Sequence, residues 1–340
     1  RYTSSSPCTS YSAPMPRLQR ISSIFDHIRK YMPFTPSGKA VLLGIEYDAS
    51  DDFEREAFLQ DFSSRMLFTY RCNLEPPLGR TDGCSISADT GWGCMLRVTQ
   101  MMLAQAISTV VLGRSWRFHE ERDLKTGSKY LEIASCFLDV PEAPFSLHRM
   151  VTTGHALLQV EPGTWFGPTS GAQVAGELFK QLKDQASLSP TFLEKIGCEV
   201  FADGIIYKDR VREKFNSAGC ESVLLLICRR LGLDRVNLEE YREGLESCFD
   251  MTEFQGLASG NSTSSAHFFV AANKDDLLFL DPHTAQPALT SAEDIVLSSG
   301  LRAKRPLPLA WSSLNPSVCI SFLVRSLEEF ELVCSRLQEG

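Results

Sequence analysis

The sequence predicts an α+β protein, a helix-dominated first part followed by a sheet-rich, mostly antiparallel second part. Three observations carry that reading. Up to about residue 195 the large apolar residues recur at helical spacing. From about residue 196 short runs of β-branched and aromatic residues take over. Strand and helix signals do not alternate strictly, as a doubly wound parallel sheet would require. With 340 residues, 43% of them hydrophobic, the chain has ample material for one large core. The expected organisation is a flexible tail over 1–20 and a single domain over 21–340, helical over about 40–195 and sheet-rich over about 196–340.

The tail "RYTSSSPCTSYSAPMPRLQR" has few large apolar groups to offset the entropy of ordering. From Asp51, paired acids followed by Phe53, Ala57, Phe58 and Phe62 predict a helix running into "MLFTYR" and ending at Tyr70. Pro76, Pro77, Gly79 and Gly83 then mark a loop over 73–89. In "DTGWGCMLRVTQMMLAQAI", residues 89–107, apolar side chains crowd most of a helical surface, which predicts a buried central helix with Cys94 at its tip. Further helices are expected at 128–138, 146–154 and 171–184, the last capped by Thr169 or Ser170. "CEVFADGIIY", "SVLLLIC", "HFFVAA", "DLLFLD" and "SVCISFLV" read as strands, the third and fourth as a hairpin turning at Asn273 to Asp276. Residues 238–249 and 326–338 read as helices. "SGNSTSS", residues 259–265, is a polar loop of the kind that contacts ligands and is a candidate gate.

Composition narrows the function. A net charge of −8, with 34 basic and 42 acidic residues interspersed, leaves no basic stripe for a phosphate backbone, so nucleic acid is not an expected partner. The longest uninterrupted apolar run, in "SVLLLIC", is strand-sized and far short of the roughly 20 residues of a membrane span, so no transmembrane segment is expected. The first residues lack the apolar block of a signal peptide, which predicts a cytoplasmic, thiol-reducing location. The eleven cysteines include no Cys-x2-Cys pair and no Cys/His cluster at zinc spacing, so neither a disulfide framework, a structural metal nor a cofactor is expected.

The remaining question is whether Cys94 does chemistry. At a helix N-terminus, unpaired N–H groups and the macrodipole favour a thiolate, but a nucleophile also needs a base and a group to orient that base. "FLDPHTAQP" places Asp281 and His283 two apart at a strand end, so in extended backbone both project to one face, and Pro282 biases Asp281 towards that backbone. Cys94 would attack, His283 would shuttle the proton, and Asp281 would orient the imidazole. His267, opening "HFFV", is the rival base and is ranked second, as a structural or supporting histidine. None of His27, His119, His148 and His155 has a carboxylate two residues before it. Trp165, beside a glycine in "TWFGP", offers an aromatic wall to an extended substrate, and the Tyr70 hydroxyl a donor to an oxyanion, although packing explains either residue as well.

In order and spacing, "RMLFTYR", "DTGWGCMLRVTQMMLAQA", "TWFGP", "HFF" and "LFLDPHTAQPA" resemble the autophagins, the autophagy-related cysteine peptidases, over roughly residues 40–330. The resemblance implies a papain-like core and a ubiquitin-like autophagy modifier as partner. Autophagins trim the modifier's precursor to expose a C-terminal glycine, and later release the modifier from phosphatidylethanolamine. The membrane would therefore be reached only through a lipidated substrate, and the enzyme is expected to be a monomer without cofactor. The same resemblance assigns Cys94 as nucleophile, Asp281 as orienting acid and His283 as base. It adds Tyr70 to the oxyanion site beside the nucleophile's backbone N–H, Trp165 as the cover of a narrow groove that admits glycine, and Gly260 as a substrate-binding position in the loop before "HFF".

Two positions depart from the family pattern. "SGNSTSS" is one glycine short and lacks a proline, and Val98 stands where the family often has a second cysteine, which undercuts a redox switch there. "FELV" at 330–333 fits the family's tail motif but falls inside an amphipathic helix, where Phe330 and Val333 are simpler as core contacts. The alternative functions are a catalytically weak modifier-binding protein and a papain-like deubiquitinating peptidase.

Overall fold

Nine strands form the central sheet: β1 (Lys39–Leu42), β2 (Ile45–Asp48), β3 (Ile196–Phe201), β4 (Ser222–Arg230), β5 (Phe254–Ser259), β6 (His267–Asn273), β7 (Asp276–Leu280), β8 (Leu307–Ala310) and β9 (Ser317–Val324). They come from a computed structural model that describes residues 34–184, 190–260 and 265–339, with Phe34–Gly340 clustering as one compact unit. The tail expected over 1–20 lies outside the described residues, as does most of the polar loop at 259–265. The strand order is β8-β7-β6-β5-β9-β4-β3, and β1 pairs with both β2 and β6. Only β3 and β4 run parallel; every other pair in this sheet is antiparallel.

The longer helices are α1 (Asp52–Ser63), α2 (Cys94–Val111), α3 (Lys129–Ser135), α4 (Leu147–Leu158), α5 (Pro168–Asp184), α6 (Lys208–Asn216), α7 (Leu238–Phe249), α8 (Ala292–Leu297) and α9 (Leu327–Glu339). Side chains close several of their N-termini, as the sequence chemistry requires. Asp51 accepts from the N–H groups of Phe53 and Glu54 at 3.0 Å each, and Ser128 and Ser146 cap α3 and α4. Helix α2 packs on β5 and β6, and α5 on β3, β4 and β9. Because strand side chains alternate, the opposite set on β4 and β9, including Ile227, Ile320 and Phe322, faces α7 and α9. Helices therefore cover both faces, and β4 and β9 read as near-continuous buried apolar runs.

Several sequence expectations are corrected. Helix α1 stops at Ser63 instead of running to Tyr70. The Ser64 N–H turns back to Asp61 O at 3.1 Å and its hydroxyl to Gln60 O at 2.7 Å, after which aromatic and β-branched residues take the extended backbone they prefer. Tyr70 is thus in an extended segment, and the next two residues, Arg71–Cys72, pair in parallel with Gln286–Pro287. Helix α5 begins with Pro168, whose missing N–H costs nothing in a first turn, so Thr169 and Ser170 lie inside the helix and do not cap it. Strand β3 ends at Phe201 because the Asp203 carboxylate accepts from Ile205 N–H, folding "ADGI" into a turn that leads to α6. The helical part also supplies β1 and β2, and the sheet-rich part supplies α6 and β5, none of which the sequence pattern announced.

Helix α2 is long and apolar enough to cross a membrane by length and composition, but 89% of it is buried inside the fold. Phe330 and Val333 of "FELV" are fully buried within α9.

Candidate active site

Cys94 is the first residue of α2, and the residue before it, Gly93, offers no side chain to cap the helix. The first-turn N–H groups therefore remain free to face a negative sulfur. Gly93 is also required by a close approach: a Cβ there would lie 2.5 Å from both Cβ and Oδ2 of Asp89. The turn is closed by Gly93 N–H donating to Asp89 O at 2.8 Å.

The second half of the group leaves the sheet at the end of β7. His283 Nδ1 and Asp281 Oδ1 are 2.5 Å apart, which leaves the other imidazole nitrogen for Cys94, its second hydrogen-bond partner. This loop is stitched to the extended Tyr70 segment. Tyr70 N–H donates to Pro282 O and Gln286 N–H to Tyr70 O, both at 2.9 Å. The Tyr70 and His283 rings meet edge to face at 5.4 Å. The structure thus brings Cys94, His283, Asp281 and Tyr70 together from three chain segments. His267, at the start of β6, stands 3.9 Å from Asp281 Oδ1 and packs against Phe279. It is a neighbour of the carboxylate.

Electrostatics favour an ion pair. Burial pushes the Cys94 thiol up, but hydrogen bonds from His283 and the Ala266 backbone, the imidazolium charge and the Trp165 indole together bring it below the ordinary 9.0. The indole nitrogen of Trp165 is itself buried with no partner at hydrogen-bond geometry, so it acts on the sulfur as an aimed dipole. Burial pulls His283 down, but its bonds to Asp281 and Cys94 and their charges raise it to about 9. Burial and the neighbouring sulfur anion raise the Tyr70 hydroxyl well above the usual tyrosine range, so it stays a donor. A thiolate beside an imidazolium, with a protonated phenol at hand, is the equipment for attack on a carbonyl.

Gly260 follows β5, and a Cβ on it would lie 2.7 Å from the Cα of Ala266, so it lines the strand end whose N–H faces the thiol. Cavities of about 710, 590 and 510 Å³ lie away from these residues, the first lined by Leu131, Val296 and Leu297, the second by Leu112, Trp116 and Lys129, and the third by Ile227, Ile320 and Leu337.

Sequence reasoning missed two parts of the site. One is the Ala266 N–H, which as a backbone group has no sequence signature. The other is a buried ionic group built around Arg97, on the helix that Cys94 begins. Arg97 Nε donates to Asp89 Oδ2 at 2.8 Å and its Nη1 to Asp139 Oδ1 at 3.0 Å, while Asp139 Oδ2 lies 3.6 Å from Arg71 Nε. The available signal was Arg97 itself, a guanidinium between Leu96 and Val98 on a helix otherwise crowded with apolar groups.

Residues 55–336 match the peptidase C54 catalytic domain. A probable cysteine protease atg4 of Aspergillus niger is 34% identical over 304 residues, covering 81% of this chain and 71% of its own. Cysteine protease ATG4B of Xenopus laevis is 31% identical over 323 residues, covering 88% of this chain and 79% of its own. Cysteine protease 1 of Neurospora crassa is 32% identical over 327 residues, covering 87% and 60%. With an α+β frame that agrees with these matches, the chain belongs to the peptidase C54 family, the autophagins, and is a papain-like cysteine peptidase of autophagy.

Proposed function

We propose that this peptidase cleaves after the C-terminal glycine of a ubiquitin-like autophagy modifier, both trimming its precursor and releasing it from phosphatidylethanolamine. The observation that carries the reading is Trp165, whose indole nitrogen is buried and directed at the Cys94 sulfur. Backbone that passes beneath such a wall to reach the sulfur must be glycine, because any Cβ would strike the ring. The two substrates share that glycyl acyl group and differ only in the leaving amine, so one thiol serves both.

In the first step the Cys94 thiolate forms a bond to the glycyl carbonyl carbon, and the carbonyl electron pair moves to oxygen. The Tyr70 hydroxyl and the Cys94 backbone N–H donate to that oxyanion. As the C–N bond breaks, the His283 imidazolium gives its proton to the leaving nitrogen, and a thioester remains. Water then attacks with His283 as base, the thiolate leaves, and the imidazolium reforms. Asp281 holds the ring and its charge throughout.

A precursor carrying residues beyond the glycine should be cut directly after it, and the same precursor with alanine at that position should not. Cleavage of both, or reaction with a ubiquitin probe in preference to the modifier, would overturn the assignment. Tyr70→Phe is expected to lower kcat about 100-fold with little change in KM, as loss of one oxyanion donor does; an unchanged kcat removes Tyr70 from the reaction.

A further inference from the structure

We propose that His267, Asp281 and His283 form a binding site for a divalent metal of the zinc class, and that an ion there switches the peptidase off without using the thiol as a ligand. The switching part rests on the role given to His283 above; the binding part rests on geometry alone. The zinc spacings visible in a sequence are local, whereas this group is assembled across a hairpin. Phe268 pairs with Leu280, so the residues just beyond that pair, His267 on one strand and Asp281 on the other, face each other at the strand ends. One donor atom from each of the three side chains lies within 4.8 Å of the other two. Asp281 Oδ1 sits between His283 Nδ1 at 2.5 Å and His267 Nε2 at 3.9 Å.

Zinc bonds of about 2.0–2.2 Å in a tetrahedron separate neighbouring ligand atoms by about 3.3 Å. Small side-chain rotations that open the Asp281–His283 contact and close the Asp281–His267 contact reach that spacing. Two imidazoles and a carboxylate, with a fourth position for water, are a donor set that suits zinc, whereas magnesium prefers an all-oxygen octahedron. The side chains keep 15–22% of their surface exposed, so a hydrated ion has a route in.

The consequence follows from the two faces of His283. The nitrogen that Asp281 holds is the one a metal would take, and Cys94 lies beyond the other. With metal on Nδ1 the neutral ring keeps its proton on Nε2 and cannot accept one from the thiol, and Asp281, now a ligand, no longer orients it. The thiolate–imidazolium pair is lost while the sulfur stays free.

Cobalt(II) reports the ligands directly. The full chain with Cys94 intact is titrated with cobalt, with zinc as competitor and magnesium as control, alongside His267→Asn. The expected result is one zinc-displaceable site with d–d bands of tetrahedral nitrogen and oxygen ligation and no sulfur charge-transfer band. His267→Asn should weaken it by more than the ~10–100-fold that loss of an outer-sphere partner costs. Absence of binding, a sulfur charge-transfer band, or equal affinity with and without His267 would overturn the proposal. His267→Gln, compared by circular dichroism and the same titration, covers a failure of the asparagine variant to fold. If nitrogen ligation is seen but no modifier is ever cleaved, the metal site stands and the proposed substrate falls.

Discussion

Replacing Cys94 or His283 with alanine is expected to lower kcat/KM for modifier cleavage by at least ~10⁴-fold, and the double variant should be no worse than either single one, because thiol and base act as a unit. The cause is visible in the opposing influences on the thiol. Burial, the largest, raises it, and His283 supplies most of what brings it back down. Without the imidazole, burial and the remaining donors decide the outcome, and the thiolate fraction at neutral pH falls. Iodoacetamide reads this directly. In the wild type Cys94 should alkylate faster than the other thiols below pH 9, and in His283→Ala that reactivity should appear only at higher pH. Turnover should fall again above about 9, where His283 loses its proton, although in so close a pair the two apparent values belong to the pair.

The same shift bears on stability. His283 is raised in the folded state from 6.5 to about 9, so its stabilising contribution is complete below about 6.5 and is lost as the pH rises through 9. Thermal melts of wild type and His283→Ala should therefore converge above that range. Identical alkylation profiles in the two proteins would remove His283 as the partner of the thiol.

Legibility in the sequence followed how local each cause is. The strands Ser222–Arg230, His267–Asn273, Asp276–Leu280 and Ser317–Val324 are dense apolar runs bounded by turn residues, and they were readable as such. Strand β5, "FQGLAS", was not, because its propensity is poor and tertiary pairing alone makes it a strand. Gly256 at its centre has φ +121° and leaves room for the Phe268 ring, which a Cβ would meet at 2.5 Å. Helix α1 was overextended because Phe68 and Tyr70 continue an aromatic pattern that period alone does not end. In the site, Cys94 with its helix and Asp281 with His283 are short motifs with local geometry. Tyr70 and Trp165 stood out only through the resemblance, since the sequence alone allows packing for each. Asp139 left no trace, because Arg97 is 42 residues away and Leu289 is 150.

Asp139 is nonetheless where the second large effect is expected, with Asp139→Ala destabilising the fold by about 3–5 kcal/mol. Asp89, Asp139, Arg71 and Arg97 are all buried and balance one another, two charges of each sign. Deleting Asp139 leaves two guanidinium groups sharing one carboxylate in the interior, and that uncompensated charge, more than the lost contact, sets the cost. Against a total stability of about 5–15 kcal/mol, this is a large fraction. Asp139 also joins the two halves of the site. Its carboxylate holds Arg97 on the helix that Cys94 begins and accepts from Leu289 N–H at 3.0 Å, and its own N–H donates to Leu289 O at 2.7 Å, six residues beyond His283. Asp139→Asn keeps an acceptor for one of these partners while removing the charge, so urea unfolding should place it between wild type and alanine. At temperatures where the asparagine variant is fully folded, Cys94 should still alkylate more slowly, because the helix tip and the imidazole are no longer held in register. A midpoint for Asp139→Ala within ~0.5 kcal/mol of wild type, the range of ordinary surface changes, would mean the charges are not the buried set described here. A folded asparagine variant with undiminished thiol reactivity would confine Asp139 to stability and leave the alignment of Cys94 and His283 to the Tyr70–Pro282 backbone bonds alone.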